Sequence, residues 1–259
     1  LPASEQYTYT LLTRSMENNM SLSAYAYYEE PLSPASGAQS QLPVLLAEYG
    51  FRSQKDVEDY LALLGQTQKY FGSLLTYECE KKDAGLFMAA STAEKVIAQC
   101  RSIITEEELA SNSHFLQSSF AERLDSLLAS GTISTAQAAE YLRQNTNLLK
   151  TVVLPAYASL AKGLEELMDP NIPISGTASK PDGDTYYQLM LTHLTGSGHS
   201  VSEIRDMLLN AFTMEWASIR DLSEKYPDAA VQYADGKALD FPLSDEYAML
   251  EDLKNGIAA

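Results

Sequence analysis

Apolar residues recur at helical spacing through most of the chain, and stretches in which apolar and polar residues alternate are scarce. A first helix is predicted around 5–20. One apolar face then runs from Gln54 to Tyr77, over one long helix or two adjoining helices, and Gly85 is predicted to end it. Because positions i, i+3 and i+4 share one face of an α-helix, whereas a half-buried strand alternates, the pattern predicts an all-α fold.

The later periodic segments are separated by glycine and proline. We predict further helices at 92–104, 115–128, 135–167, 185–193, 201–226 and 245–255. Pro155 lies inside the third of these and is predicted to bend it, because proline removes a backbone donor and crowds the preceding turn. Gly131 is predicted to end the helix before it, in the left-handed conformation that glycine tolerates.

Four helix starts carry a capping-box signature, in which a Ser or Thr precedes a Glu or Gln by three residues. The hydroxyl can accept a hydrogen bond from the third backbone N–H, while the longer side chain reaches back. The four pairs are Ser91 with Glu94, Thr105 with Glu108, Ser134 with Gln137, and Ser200 with Glu203.

The predicted architecture is an irregular multi-helix bundle with long helices and two irregular loops, at about 31–43 and 169–184. Both loops are rich in proline, glycine and serine, which favour turns over helix interiors. Since no repeat of fixed period occurs, we interpret residues 1–259 as a single helical domain rather than a solenoid.

Charge and composition exclude some classes of function. With 18 Lys and Arg against 35 Asp and Glu, the net charge is −17, so nucleic acid is not an expected partner. No uninterrupted apolar run approaches the roughly 18 residues of a membrane span. The two cysteines, Cys79 and Cys100, lack metal or redox spacing. We expect both to be buried thiols, with a single bridge between them as the alternative.

The sequence carries few candidates for catalysis. Its three histidines lack the HExxH spacing of a zinc site, and no Gly-x-Ser-x-Gly, Walker or dinucleotide-binding fingerprint occurs. His114 is expected to be solvent-exposed or to act near a helix cap. His193 and His199 flank a glycine turn, but their spacing does not favour a shared metal. Tyrosines are abundant, and those at 25–28 and 186–187 could line a peptide or sugar cleft.

Several loose motifs occur in an order that resembles the bacterial DUF885 family. They are LPAY at 154–157, PDG at 181–183, YY at 186–187, His193 and SEI at 202–204. The segments 31–37, 41–43 and 56–61 resemble the N-terminal section of the family, so the similarity spans nearly the whole chain. The HLTG sequence at 193–196 departs from the more usual HTT run.

This resemblance implies a mostly helical architecture like that of a zinc metallopeptidase. Full-length members carry an HExxxGH-type segment downstream, which is missing here, so the chain resembles the N-terminal half of such a protein. Zinc is then expected only in the full-length protein, and no catalytic or metal-binding residue is assigned here. The residues expected to face a substrate channel are Tyr186, Tyr187 and His193. Members of the family are often exported or lipid-anchored, which favours an exported or cell-surface location.

Three hypotheses follow. In the first, this chain forms one wall of the substrate channel of a metal-dependent peptidase and is inactive alone. Its partner is then the C-terminal half of the same protein, and an exposed apolar patch and a possible homodimer are expected. In the second, it is a freestanding extracellular module that binds a peptide or glycan. In the third, it is purely structural.

Overall fold

The computed structural model describes residues 2–172, 174–234, 245, 248–251 and 254. Every regular element among these residues is helical, which confirms the predicted all-α fold. The chain divides into two compact units, Leu1–Thr195 and Gly196–Ala259. The interpretation of residues 1–259 as one domain of a larger protein stays a prediction.

The α-helices of the first unit are α1 (Ala3–Ser23), α2 (Ala38–Glu48), α3 (Gln54–Gly65), α4 (Thr67–Asp83), α5 (Ala90–Ser102), α6 (Glu106–Ser111), α7 (Phe115–Ala129), α8 (Thr135–Leu148), α9 (Leu154–Leu167) and α10 (Gly183–Thr195). The second unit contains α11 (Val201–Lys225) and α12 (Pro227–Ala234). Short 3₁₀ turns lie at Ala26–Tyr28 and Thr177–Ser179. Of the two arrangements predicted for the long apolar face, two adjoining helices, α3 and α4, are observed.

The core of the first unit lies where α9 packs against both α4 and α5. Tyr157, Leu160 and Leu164 of α9 are almost wholly buried and follow one another at helical spacing. Phe71 of α4 meets the ring of Tyr157 edge to face, with 4.8 Å between the ring centroids. Removal of these apolar surfaces from water is the main force that holds the helices together.

Pro155 is accommodated by a local widening of the helix. A single π-helical turn, Leu149–Val153, joins α8 to α9, and Leu154 N–H donates to the carbonyl of Leu149. The longer hydrogen-bonded ring of this turn relieves the crowding that a proline imposes on the preceding carbonyls. The irregularity predicted at Pro155 is therefore observed as a π turn between two helices.

The loop predicted at 31–43 is too long at its C-terminal end, because α2 begins at Ala38. Pro43 lies inside this helix and cannot donate to the carbonyl of Gln39, four residues earlier. The hydroxyl of Tyr157 donates to that carbonyl instead, at 2.7 Å. A side chain from another helix thus replaces the missing backbone donor. Among the described residues of the loop predicted at 169–184, one 3₁₀ turn precedes α10, and the prediction runs two residues too far because α10 begins at Gly183.

The predicted helix starts are confirmed in three of the four cases. Complete capping boxes form at Ser134 and Ser200, and the Thr105 side chain accepts from the N–H of Glu108. The start predicted at Ser91 is wrong, because α5 is capped by Ala89 and already includes Ser91. A further capping box forms between Ser53 and Asp56. The pattern used above does not predict it, because it requires Glu or Gln where this box has Asp.

The structure decides between the two roles expected of His114 and corrects the expectation for one cysteine. His114 caps α7, as Nδ1 accepts from the N–H of Leu116 and Nε2 lies 2.9 Å from the carbonyl oxygen of Ile103. The cap role is therefore confirmed, and solvent exposure is excluded because only 2% of the His114 surface is accessible. Both cysteines are free thiols, but only Cys100 is buried, since Cys79 lies on the exposed face of α4.

The second unit is dominated by α11, whose described residues include no buried side chain. Its apolar face remains accessible to solvent, with Leu208 65%, Phe212 67% and Trp216 64% exposed. None of the described helices is long and apolar enough to cross a bilayer. Of the helix predicted at 245–255, residues 248–251 and 254 are helical and 245 is not, and the other positions lie outside the described residues.

Candidate functional site

A cleft of about 560 Å³ opens in the first unit between α1, the Ala26–Tyr28 turn, α4 and α10. We call it the tyrosine cleft. The residues that characterise it are Tyr25, Glu29, Tyr77, Tyr186, Met190 and His193. Its volume lies within the range of small-ligand pockets, and aromatic rings with a few polar groups are the usual lining of such sites.

Tyr186 is held in the wall of the cleft by other tyrosine rings. Its ring centroid lies 4.4 Å from that of Tyr28 and 5.6 Å from that of Tyr25. The hydroxyl of Tyr28 donates to the carbonyl of Pro181, just before α10 begins. This contact joins the loop before α10 to the Ala26–Tyr28 turn. The half-buried ring of Tyr186 is thereby placed at a defined position in the cleft.

Tyr77 forms the α4 side of the cleft and is oriented by the backbone of the opposite wall. Its hydroxyl donates to the carbonyl of Ala26. Burial and the neighbouring carboxylates of Glu29, Glu78 and Glu30 raise the pKa of Tyr77 to about 12. At neutral pH the phenol therefore keeps its proton and acts as a hydrogen-bond donor.

A charged cluster lies behind this wall, beside a second cavity of about 270 Å³. Lys81 is 1% exposed and donates to Glu30 Oε2 at 2.5 Å and to the carbonyl of Glu29 at 3.0 Å. Glu78 is fully buried, and neither of its carboxylate oxygens has a hydrogen-bond partner within the described structure. Lys81 Nζ lies 3.7 Å from Glu78 Oε2. Burial, followed by the charge of Glu30, raises the pKa of Glu78 to about 8.

Of the three residues predicted to face a channel, two line the tyrosine cleft and one does not. Tyr186 and His193, two turns apart on α10, both line the tyrosine cleft. Tyr187 is 39% exposed and is not part of the cleft lining. A role in substrate binding stays a prediction for all three.

Sequence reasoning missed Tyr77 and Glu29 as lining residues. Tyr77 was assigned to the apolar face of its helix, and nothing local distinguishes a tyrosine of the core edge from one that faces a cleft. Glu29 is one of many acidic residues. The one sequence feature near Glu29 that indicates a cleft is the cluster of three tyrosines at 25–28.

The described residues do not offer a metal centre. No group of three or more His, Cys, Asp or Glu side chains among them is arranged to hold a metal ion. The residues of this part of the chain therefore do not fit a resident zinc ion, and the expectation that zinc is bound only in the full-length protein stays a prediction.

Comparisons with known proteins give a family and a fold. A family model described as "Bacterial protein of unknown function (DUF885)" matches residues 1–253. A crystal structure of the "putative lipoprotein" from Colwellia psychrerythraea is similar in fold, with a TM-score of 0.70 and 20% sequence identity. The similarity covers 88% of this chain but 39% of that chain, so this chain spans about two fifths of the length of that protein. No curated protein matches the sequence.

Proposed function

Because the chain belongs to the DUF885 family of bacterial proteins of unknown function, we propose that it is the helical part of a metal-dependent peptidase and forms one wall of the substrate channel. In this proposal the tyrosine cleft binds the peptide, and the chain does not hydrolyse it alone. The metal and the residues that activate water belong to another part of a longer protein.

The observation that carries the proposal is the composition of the tyrosine cleft. Tyr25, Tyr77 and Tyr186 come from three separate segments of the chain and line one cavity with His193. Tyrosine rings supply apolar contact area, and their hydroxyls supply hydrogen bonds to a peptide backbone. In the proposal this part of the chain contributes binding, and the metal is held elsewhere in the longer protein.

The proposed partner is the remaining part of the same longer polypeptide. The solved relative is much longer than this chain, which covers 39% of it. The exposed apolar face of α11 is the kind of surface that a docking segment buries. A homodimer through this face is the alternative partner for the isolated chain.

An exported or cell-surface location is also part of the proposal. It is supported by the similarity in fold to a "putative lipoprotein". Localisation of an epitope-tagged, genomically encoded protein by cell fractionation tests it, and recovery in the cytoplasmic fraction alone would contradict it.

The first experiment measures metal and activity in the purified 259-residue chain. Metal content is determined by mass spectrometry after incubation with zinc and desalting, and hydrolysis is followed with a mixture of fluorogenic peptides. We expect neither stoichiometric zinc nor turnover. Stoichiometric zinc together with peptide hydrolysis would show that the chain contains its own active site.

The second experiment measures peptide binding by calorimetry with the same chain and a small library of blocked tripeptides. Tyr186→Ala and His193→Ala are each expected to weaken binding about tenfold or more, because both side chains line the cleft. Tyr187→Ala is the matched comparison, since its ring lies outside the cleft, and a small effect is expected. Binding of oligosaccharides but not peptides would favour the glycan-binding module, and no binding of either would favour a structural role.

A further inference from the structure

We infer that the tyrosine cleft selects peptides that carry a positively charged group, which Glu29 and the surrounding tyrosine rings hold. The inference rests on the proposed function, because it names the class of peptide that the same cleft takes. The shared chemistry is an ammonium or guanidinium ion, supplied by a basic side chain or by a free amino terminus.

The charge of the lining is the first argument. Glu29 is the carboxylate among the residues that line the cleft, and neither a lysine nor an arginine is found among them. His193 is the one imidazole of this lining. A cationic ligand therefore meets an opposite charge, and an anionic ligand meets a like charge.

The carboxylates behind the wall extend this negative field. Burial is the largest cause of the raised pKa of Tyr77 and of Tyr186, and the charge of Glu29 raises the pKa of both, joined at Tyr77 by that of Glu30. Burial opposes a charge of either sign, but the contribution of Glu29 at both rings indicates a negative potential, which favours a cation over an anion in the cleft.

The nearby positive charge does not cancel this field inside the cleft. Lys81 is 1% exposed, and its ammonium is bound by Glu30 and by the carbonyl of Glu29. It lines the second cavity rather than the tyrosine cleft. The negative side chain of Glu29 remains on the cleft side as a partner for a ligand.

The aromatic rings supply a second attraction. Tyr25, Tyr77 and Tyr186 line the cleft together with Glu29. The faces of tyrosine rings attract cations, and the attraction grows as the cation loses water. Lys81 Nζ already lies over the Tyr77 ring, 5.9 Å from its centroid, so Tyr25 and Tyr186 are the rings expected to meet the ligand. A cavity of about 560 Å³ accommodates a basic side chain together with part of its backbone.

The test uses calorimetric titration of the 259-residue chain at pH 8 with peptides that differ in one group. The set is acetyl-Ala-Phe-Lys-amide, acetyl-Ala-Phe-norleucine-amide, acetyl-Ala-Phe-Glu-amide and Ala-Phe-norleucine-amide with a free amino terminus. We expect the lysine peptide to bind about tenfold more tightly than the norleucine peptide, and the glutamate peptide to bind most weakly. The fourth peptide shows whether an amino terminus can replace the basic side chain.

Glu29→Gln should remove most of the preference for lysine over norleucine. Glu17→Gln on α1, outside the cleft lining, is the matched control and should keep the preference. If the Glu29→Gln chain does not fold, the salt dependence of the unmodified chain tests the inference instead. We expect 0.5 M salt to reduce its preference for the lysine peptide several-fold.

Each outcome has a separate meaning. Equal binding of the lysine and norleucine peptides would overturn the charge selection and leave the proposed peptide-binding function intact. A preference that survives both Glu29→Gln and salt would also overturn it. Failure of all four peptides, and of the library used above, would remove the proposed function together with this inference.

Discussion

The hydroxyl of Tyr157 makes a buried hydrogen bond between two helices of the first unit. It donates to the Gln39 carbonyl, which Pro43 leaves without its helical donor. Burial raises the pKa of Tyr157, so the hydroxyl is protonated at all ordinary pH values. A buried carbonyl without a partner costs free energy, which explains why an otherwise apolar interface keeps this phenol.

Tyr157→Phe is therefore expected to lower the free energy of unfolding by about 1–2 kcal/mol. In a Pro43→Ala background the cost should be smaller, because the backbone N–H that this substitution restores can donate to the Gln39 carbonyl. Urea unfolding followed by circular dichroism measures all four members of this cycle. Equal costs of Tyr157→Phe in the two backgrounds would show that the hydroxyl does not compensate for the proline.

Glu78 is a buried residue whose charged form the fold disfavours. It is fully buried without a hydrogen-bond partner among the described residues, and its pKa is raised from 4.5 to about 8. The folded chain therefore holds a proton that the unfolded chain releases above about pH 4.5. Because the folded state binds more protons in this window, stability is lost as the pH rises from about 4.5 to about 8.

Glu78→Gln removes this titration and is expected to stabilise the chain by on the order of 2 kcal/mol at pH 8, with little effect at pH 4.5. Melting temperatures measured between pH 4.5 and 8.5 provide the check. Glu94→Gln on α5, whose carboxylate is exposed, is the control and should leave the pH dependence unchanged. A destabilising effect of Glu78→Gln at pH 8 would mean that the ionised carboxylate is favourable where it lies.

At the scale of elements, features with local causes could be predicted from the sequence. The boxes at Ser134 and Ser200 form because a hydroxyl and a longer polar side chain three residues apart satisfy backbone donors wherever a helix begins. The start at Ser91 could not be excluded locally, since the choice of Ala89 as the cap depends on how α5 packs. Likewise, Pro155 predicts an irregularity, but its form as a π turn depends on the neighbouring helices.

Gly183 is the first residue of α10, the helix that carries Tyr186 and His193. A Cβ atom added to Gly183 would lie 1.8 Å from the carbonyl oxygen of Thr177 in the preceding 3₁₀ turn. A backbone oxygen cannot move away as a flexible side chain does, so either the turn or α10 must shift. Glycine at this position therefore permits the close approach of the loop to the helix that carries two cleft residues.

Gly183→Ala is expected to destabilise the first unit by about 2 kcal/mol and to weaken peptide binding in the cleft. Gly176→Ala, in the same loop, is the matched control, because a Cβ atom there meets no atom within 4 Å. Thermal melts and the calorimetric assay described above measure both effects. Unchanged binding by Gly183→Ala would show that the position of α10 does not control the cleft.

At the scale of the whole molecule, the tyrosine cleft depends on contacts between distant parts of the sequence. Tyr25, Tyr77 and Tyr186 belong to three separate segments of the chain, and helical periodicity does not say which segments meet. The YY motif predicts both Tyr186 and Tyr187 as channel residues, because periodicity alone does not show which side of a helix faces a cleft. Only packing of α10 against α1 distinguishes the ring in the cleft from the exposed one.

The exposed apolar face of α11 and the net charge of −17 have opposite effects on self-association. Contact between copies buries Phe212 and Trp216, whereas the like charges repel each other. We expect the isolated chain to associate as its concentration rises, and to do so more strongly in 0.5 M than in 0.05 M salt, because salt screens the repulsion.

Phe212→Ser combined with Trp216→Ser should reduce this association. Light scattering coupled to size exclusion measures it. Asn210→Ser with Ala217→Ser, on the opposite side of α11 by helical spacing, is the control. A chain that stays monomeric at high concentration in both salts would contradict the role proposed for α11 as a docking surface.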